Sequence, residues 1–213
     1  RSLDLVKLLA GSFGTLGFLT EVTFRVLPTP PAQTTLLISG LEDDAATNVM
    51  AAAMATSTEV SGAAHLPESV RSRFLNGSLP DGAATVLRLE GLPASVDARA
   101  QKLQTILSAL GPSRFLDADE SRVLWRDIRD VAPYAANQAK PLWRVSVAPS
   151  QGHRLVAALR LEAGIDAFYD WQGGLVWMQM EFDPEANLLS RHIRALGGGH
   201  STLLRALPAS RHG

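Results

Sequence analysis

The 213-residue sequence contains no cysteine, and this absence excludes several kinds of chemistry. Without a thiol the chain forms no disulfide, holds no iron–sulfur cluster or thiolate-bound zinc, and has no cysteine nucleophile. A cysteine-free sequence also fits a reducing compartment, so we expect a cytoplasmic location.

Strong net charge and long apolar runs are lacking as well. The formal net charge is −1, which provides no basic footprint for nucleic acid or for an anionic membrane. No apolar stretch approaches the roughly 18 residues that a membrane span needs. We therefore expect no nucleic-acid partner and no membrane span, whereas a hydrophobic fraction of 46% is ample for a buried core.

Histidines are few and dispersed. No pair has the His-x-x-x-His or His-x-x-Glu-His spacing that places two metal ligands on one helical face. The five are His65, His153, His192, His200 and His212. The sequence therefore predicts no metal site.

A glycine-spaced turn stands near the start of the sequence. An apolar helical run leads into Gly11-Ser12-Phe13-Gly14-Thr15-Leu16-Gly17, and residues 18–27 then alternate like a half-buried strand. The order of helix, turn and strand is the reverse of a dinucleotide-binding fingerprint. From spacing alone, the turn either permits close packing only or lets the backbone approach a ligand.

Prolines at positions 28, 30 and 31 stop the strand pattern and predict a domain boundary. We assign residues 1–28 to the end of one domain and residues 29–213 to a second. Within the second, an amphipathic helix at Asp119–Val131 separates two runs of elements that share the order β-α-β-β-α-β.

The two runs define the predicted fold class. The first run is Thr34–Ser39, Glu42–Thr56, Glu59–His65, Ala84–Glu90, Ser95–Leu110 and Ser113–Leu116. The second is Leu142–Ala148, Gln151–Glu162, Ala167–Trp171, Leu175–Phe182, Pro184–Leu196 and His200–Arg205. We predict an α+β fold in which two ferredoxin-like βαββαβ units form a largely antiparallel sheet with helices on one face.

Three segments carry a family resemblance. Gly11–Val22 contains Gly-Ser-x-Gly-Thr-Leu-Gly, two apolar residues and Thr-Glu-Val, which resembles the end of the FAD-binding domain in vanillyl-alcohol-oxidase-type FAD-linked oxidases. Gly197–Ala206, and more weakly Leu142–Val147, resemble the later part of glycolate oxidase FAD-binding subunits within that family. Together the matches span nearly the whole chain, which is similar to the C-terminal portion of such a subunit without its usual last tail.

The resemblance implies a flavin-dependent 2-hydroxy-acid oxidoreductase subunit that, at full length, binds FAD and oxidises glycolate to glyoxylate. Residues 1–28 would be the last helix and strand of the FAD-binding domain, and residues 29–213 the cap or substrate domain. The implied cofactor-binding residues are Gly11, Ser12, Gly14, Thr15, Gly17, Leu19 and Thr20. Because the rest of an FAD domain would precede Arg1, we expect this chain alone to bind no FAD and to be inactive.

The resemblance also implies partners, namely a sister flavoprotein subunit and an iron–sulfur subunit, through which the protein would lie at the inner face of the membrane. Two other functions stay open. One is a non-catalytic assembly domain that docks those subunits, and the other is a related flavin oxidase for a different 2-hydroxy acid or alcohol.

Three residues of the second unit are weak candidates for catalysis or substrate binding. Arg144 lies mid-strand on the polar face, where it would bind a substrate carboxylate or contact a partner subunit. His200 follows three glycines and is either a hydrogen-bonded loop histidine or a residue facing the flavin or a neighbouring subunit. Arg205 is either a carboxylate ligand or an edge arginine paired with Glu181 or Asp183.

Two tryptophans flank the Gly173-Gly174 turn of the second unit. Trp171 and Trp177 are either hairpin packing residues or a cover for one edge of a flavin.

Overall fold

The computed structural model describes residues 4–12, 14–136, 139–181 and 185–206. A short helix, α1 (Leu5–Leu9), begins after Asp4, whose carboxylate accepts a hydrogen bond from the Lys7 N–H. Residues 14–31 follow as an exposed segment with no helix or strand.

The strand predicted at residues 18–27 is not formed, and this prediction is corrected. Phe18 is 93% exposed and Leu27 86% exposed. A strand needs a neighbour to satisfy its N–H and C=O groups, and within the described residues no strand pairs with this segment. Alternation of side chains is therefore not sufficient to build a strand here.

The first βαββαβ unit follows the predicted order. Its elements are β1 (Ala32–Ser39), α2 (Asp43–Met54), β2 (Gly62–Leu66), β3 (Ala84–Gly91), α4 (Pro93–Leu107) and β4 (Ser113–Leu116), with a short helix α3 (Glu68–Arg71) between β2 and β3. Proline at the first position of α4 suits a helix start, because the first N–H groups of a helix have no partner within it.

The linker helix α5 (Ala118–Arg129) joins the two units. Asp117 caps it by accepting from the N–H groups of Asp119 and Glu120, while the Glu120 carboxylate accepts from the Asp117 N–H. This reciprocal capping box fixes where the helix begins.

The second unit repeats the order of the first. Its elements are β5 (Leu142–Ser146), α6 (Gly152–Arg160), β6 (Ile165–Asp170), β7 (Leu175–Met180), α7 (Ala186–Ala195) and β8 (His200–Arg205). The predicted strand end at Phe182 and helix start at Pro184 lie outside the described residues.

All eight strands form one sheet in the order β4-β1-β3-β2-β6-β7-β5-β8, and every neighbouring pair is antiparallel. Each half has the ferredoxin-like order, and the halves meet at the β2–β6 seam, where His65 pairs with Tyr169. The predicted α+β class and the two-unit organisation of the sheet are confirmed.

The four helices of the two units, α2, α4, α6 and α7, lie on one face of the sheet as predicted, and the linker helix α5 lies on the opposite face. On the first face, α2 and α4 cover Leu36 and Ile38, and α6 and α7 cover Val145 and Val176. On the opposite face, α5 packs against the inner strands of the first half, where Leu37 of β1 shares its core. None of the helices that the structure describes is long and apolar enough to cross a membrane.

Candidate functional site

The glycine turn leaves its backbone open. Gly11 and Gly14 have φ of +81° and +78°, the left-handed region that favours glycine, and a Cβ built on either would have no neighbour within 4 Å. The Thr15 hydroxyl donates to the Ser12 carbonyl at 2.7 Å, which holds the turn closed. Leu19, one of the other predicted FAD contacts, is 56% exposed.

This geometry fits a cofactor group that approaches the main chain, because no side chain blocks the glycines. Gly17 differs from the other two glycines, since its φ is not in the left-handed region and its Cβ would lie 3.4 Å from Leu9. The seven residues predicted to contact FAD therefore share one exposed stretch, and their role stays a prediction.

A cleft of about 660 Å³ lies on the α5 side of the sheet, next to the seam. Residues of β3, α5, β5, β7 and the turn after β6 line it. Its lining is rich in cations and indoles, with one acidic side chain. These residues are Arg88, Arg122, Arg126, Arg129, Arg144, Trp125, Trp171, Trp177 and Asp170. Such a combination suits an anion with an apolar body.

Arg144 is a cleft residue with available hydrogen-bonding capacity. Strand register places it between Trp177 and Thr202, on the face of the sheet away from α6 and α7. Its guanidinium carbon lies 5.4 Å from the centre of the Trp171 ring. No described residue accepts a hydrogen bond from it or forms an ion pair with it, so its N–H groups remain available for a carboxylate.

Other arginines of the cleft already have partners. Arg88 forms an ion pair with Glu90 at 3.1 Å and lies 4.8 Å above the Trp125 ring. Arg129 donates to Asp130, and this hydrogen bond holds the pKa of the Asp130 carboxyl below its usual value. Because each of these cations is already paired with a carboxylate, it adds little net positive charge to the cleft.

The turn after β6 places Trp171 at the cleft. The Asp170 carboxylate accepts a hydrogen bond from the Trp171 N–H at 2.7 Å. Burial raises the pKa of the Asp170 carboxyl, while the bond from the Trp171 N–H opposes the rise. Sequence reasoning missed the role of Asp170, although an acidic residue just before a Trp-Gln-Gly-Gly turn is a recognisable signal for side-chain capping of the turn.

The three candidate side chains have different environments. Arg144 lies in the cleft as its mid-strand position suggested. His200 is exposed at the start of β8. It pairs with Ser146, which lies two residues after Arg144 on β5 and therefore on the same face of the sheet. Arg205 donates to the Tyr134 carbonyl at 2.7 Å. No ion pair between Arg205 and Glu181 is seen among the described residues, and Asp183 lies outside them.

A second polar cluster lies at the seam on the opposite face of the sheet. Asp43 of α2 accepts from the Tyr169 hydroxyl, from Arg160 at 3.1 Å and from His65 Nε2 at 3.2 Å. His65 Nδ1 lies 3.0 Å from the Thr85 hydroxyl. Because His65 and Thr85 are fully buried, no substrate reaches this hydroxyl, and the cluster is structural.

Two findings concern cofactors and families more generally. Within the described part of the chain, no group of three or more histidine and acidic side chains is arranged to hold a metal ion. No family model matches the chain.

The fold is shared with several solved enzymes. p-Cresol methylhydroxylase superposes with a TM-score of 0.54 at 11% identity, covering 84% of this chain and 46% of that one. The 4-ethylphenol oxidase from Gulosibacter chungangensis gives 0.52 at 13% identity, covering 79% and 44%. An alkyldihydroxyacetonephosphate synthase gives 0.57 at 17% identity, covering 93% and 45%. The architecture is thus shared with a little under half of each of these solved enzymes.

A curated relative narrows the comparison. Glycolate oxidase subunit GlcE of Escherichia coli (strain K12) is 27% identical over 203 residues, which is 95% of this chain and 47% of that protein. The resemblance to the C-terminal portion of the FAD-binding subunit of glycolate oxidase is thereby confirmed. The chain spans about half the length of the relatives it matches.

Proposed function

We propose that the chain is the C-terminal part of a flavin-dependent 2-hydroxy-acid oxidoreductase subunit, and that glycolate is oxidised to glyoxylate by the intact protein. The observation that carries this proposal is the similarity to glycolate oxidase subunit GlcE along 95% of the chain. In this proposal residues 1–28 end the FAD-binding domain, and residues 29–213 form the cap domain.

The chain would supply two sets of contacts. The open glycine turn would hold part of FAD through the seven residues assigned from the sequence, and the bound flavin would accept the two electrons of the oxidation. Arg144 would bind the substrate carboxylate through two parallel N–H···O bonds, a geometry that its planar guanidinium favours. Such a charge-assisted bond contributes about 1.5–3 kcal/mol.

His200 and Arg205 are weaker candidates for substrate contact in this proposal. His200 is exposed on the same face as Arg144 and is free to meet a flavin or a neighbouring subunit. Arg205 already donates one N–H group to a backbone carbonyl, so we propose that it orders the chain beneath the cleft.

We also propose the partners that the relative's description as a subunit suggests. These are a sister flavoprotein subunit and an iron–sulfur subunit, which would place the protein in the cytoplasm at the inner face of the membrane. The 213 residues of this chain contain no cysteine that could ligate a cluster.

The test uses the full-length protein with its native upstream sequence. We expect flavin to copurify at about one per chain and its oxidised absorbance to bleach when glycolate is added without oxygen. Arg144→Gln should raise the glycolate KM at least about tenfold, from the loss of a charge-assisted bond. The matched control is Arg154→Gln, an exposed arginine on α6, which should change nothing.

Two outcomes would contradict the proposal. A full-length protein that remains colourless but captures the sister subunits would indicate an assembly domain. A yellow protein whose flavin is bleached by another 2-hydroxy acid or an alcohol, and not by glycolate, would indicate a related oxidase of different substrate.

A further inference from the structure

Trp171 has an unusual backbone for an aromatic residue. Its φ is +49°, and the next two residues, Gln172 and Gly173, have φ of +61° and +94°. Three consecutive residues therefore occupy the left-handed region, which bulky L-residues rarely adopt. Conformations of this kind persist only where the surroundings hold them, and they concentrate at functional sites.

Close packing holds the turn in place. A Cβ built on Gly152 would lie 2.0 Å from the Gly173 carbonyl oxygen, so the start of α6 touches the turn directly. The Asp170 carboxylate accepts the Trp171 N–H from the other side. The main chain thus fixes the direction of the Cα–Cβ bond of Trp171, a residue that is 60% exposed.

Hairpin packing does not account for an indole in this position. Trp177, the tryptophan on the neighbouring strand, packs against the core around Phe168 and Tyr134. Trp171 belongs to none of the three hydrophobic clusters of the described residues. Its aromatic contact is instead the Arg144 guanidinium at 5.4 Å.

This contact restricts how Arg144 presents its donors. A guanidinium that lies on an aromatic face keeps its N–H groups in a plane parallel to the ring, so they point outward along the edge. Arg144 has no other described polar partner to orient it. We propose that Trp171 is a positioning residue, which holds the Arg144 guanidinium with its edge toward the cleft so that it binds the carboxylate of a 2-hydroxy acid.

This proposal rests on the proposed function, and its test compares substitutions in the full-length protein. Trp171→Leu removes the aromatic face but keeps apolar bulk, and we expect the glycolate KM to rise about two- to fivefold with kcat unchanged. Trp171→Phe retains an aromatic face, so it should restore most of the loss. Thermal unfolding of both variants should match the parent protein, because the ring is largely exposed.

Coupling to Arg144 separates positioning from a general structural effect. In the Arg144→Gln background, Trp171→Leu should add no further rise in KM, since the group that it orients is absent. Equal effects of Trp171→Leu in both backgrounds would overturn the proposal. So would a Trp171→Phe variant that is as impaired as Trp171→Leu.

A binding measurement tests the positioning role of Trp171 without relying on turnover. Calorimetric titration of glycolate should show the same two- to fivefold weakening in Trp171→Leu, and a neutral analogue, glycolamide, should show none. If the protein binds glycolate with this dependence but does not oxidise it, the proposed function fails and the positioning role stands. If Trp171→Leu weakens glycolamide as much as glycolate, the positioning role fails whether or not oxidation occurs.

Discussion

Replacement of Asp43 by alanine should weaken the contact between the two halves of the sheet and so lower the stability of the fold. Asp43 reaches across the seam from α2, where it accepts hydrogen bonds from His65 of β2 and from Tyr169 of β6. His65 is fully buried and Tyr169 is 1% exposed. Asp43→Ala would leave both buried donors without this acceptor.

The magnitude follows from those two groups. An unsatisfied buried donor costs about 1–3 kcal/mol, and we expect Asp43→Ala to lower the free energy of unfolding by about 3–5 kcal/mol in total. For a chain of this length, this corresponds to a fall in Tm of roughly 6–20 °C. Arg160 reaches solvent and should add little, because its side chain is 39% exposed.

The pH dependence provides a second check. Burial opposes ionisation of Asp43, but hydrogen bonds from His65 and Tyr169 outweigh it, so the pKa of the carboxyl is lowered. A carboxyl whose folded-state pKa is depressed stabilises the fold above its unfolded pKa of about 4, and this stabilisation is lost as the pH falls through the folded-state value. The stability difference between the parent and Asp43→Ala should therefore shrink in acid.

The assay is urea and thermal unfolding of the chain at neutral and acidic pH. Asp44→Ala is the matched control, since Asp44 is the neighbouring carboxylate in the first turn of α2 and is exposed. Its loss should cost less than about 1 kcal/mol. Equal destabilisation by the two substitutions, or a difference that does not change with pH, would refute the reasoning.

Three further predictions concern single residues. Gly152→Ala should cost at least about 2 kcal/mol because its Cβ meets a backbone carbonyl at 2.0 Å, whereas Ala157→Gly on the exposed face of the same helix should cost only about 1 kcal/mol in urea unfolding. Trp125→Phe should cost about 1–2 kcal/mol, since the buried Nε1–H donates to Thr35 at 2.9 Å; no loss would show that the Thr35–Ser121 bond is sufficient. Gly14→Val in the full-length protein should lower the flavin-to-protein ratio without shifting the unfolding of residues 34–206; unchanged flavin with lowered stability would make the turn structural.

The order of elements was predictable because its signals are local. β4 and β8 have the predicted bounds, Ser113–Leu116 and His200–Arg205, since a Gly-Pro pair precedes the first and three glycines precede the second. Helix bounds shifted by a few residues where capping was weaker, as in α2, which begins at Asp43 rather than Glu42.

Features that depend on distant residues could not be predicted in this way. The alternation at residues 18–27 indicates a strand, but whether it forms depends on a neighbouring strand that the segment itself does not specify. The face on which α5 packs depends on which sheet residues point toward it. The contact between Trp171, in the turn after β6, and Arg144 of β5 spans the intervening strand β7, so neither residue's sequence neighbours reveal it.

For the same reason, the sequence predicted only some of the residues that line the cleft. Arg144 emerged because a charged residue in the middle of an apolar strand requires an opening or a partner. The arginines on α5 were visible as a polar helix face, yet nothing in their spacing indicated that they border a cleft shared with β5 and β7.

The two units of the sheet have the same order of elements, so each could cover its open face in the same way. Within the described residues one helix, α5, links the two units, and it packs mainly on the first of them. In the part of the chain that the structure describes, no equivalent helix covers the corresponding surface of the second unit around Arg144. The cleft is therefore a product of broken symmetry, and its depth depends on the length and tilt of one linker. Exposed residues of that linker, such as Arg126, can change to admit a different ligand without altering the packing of either half.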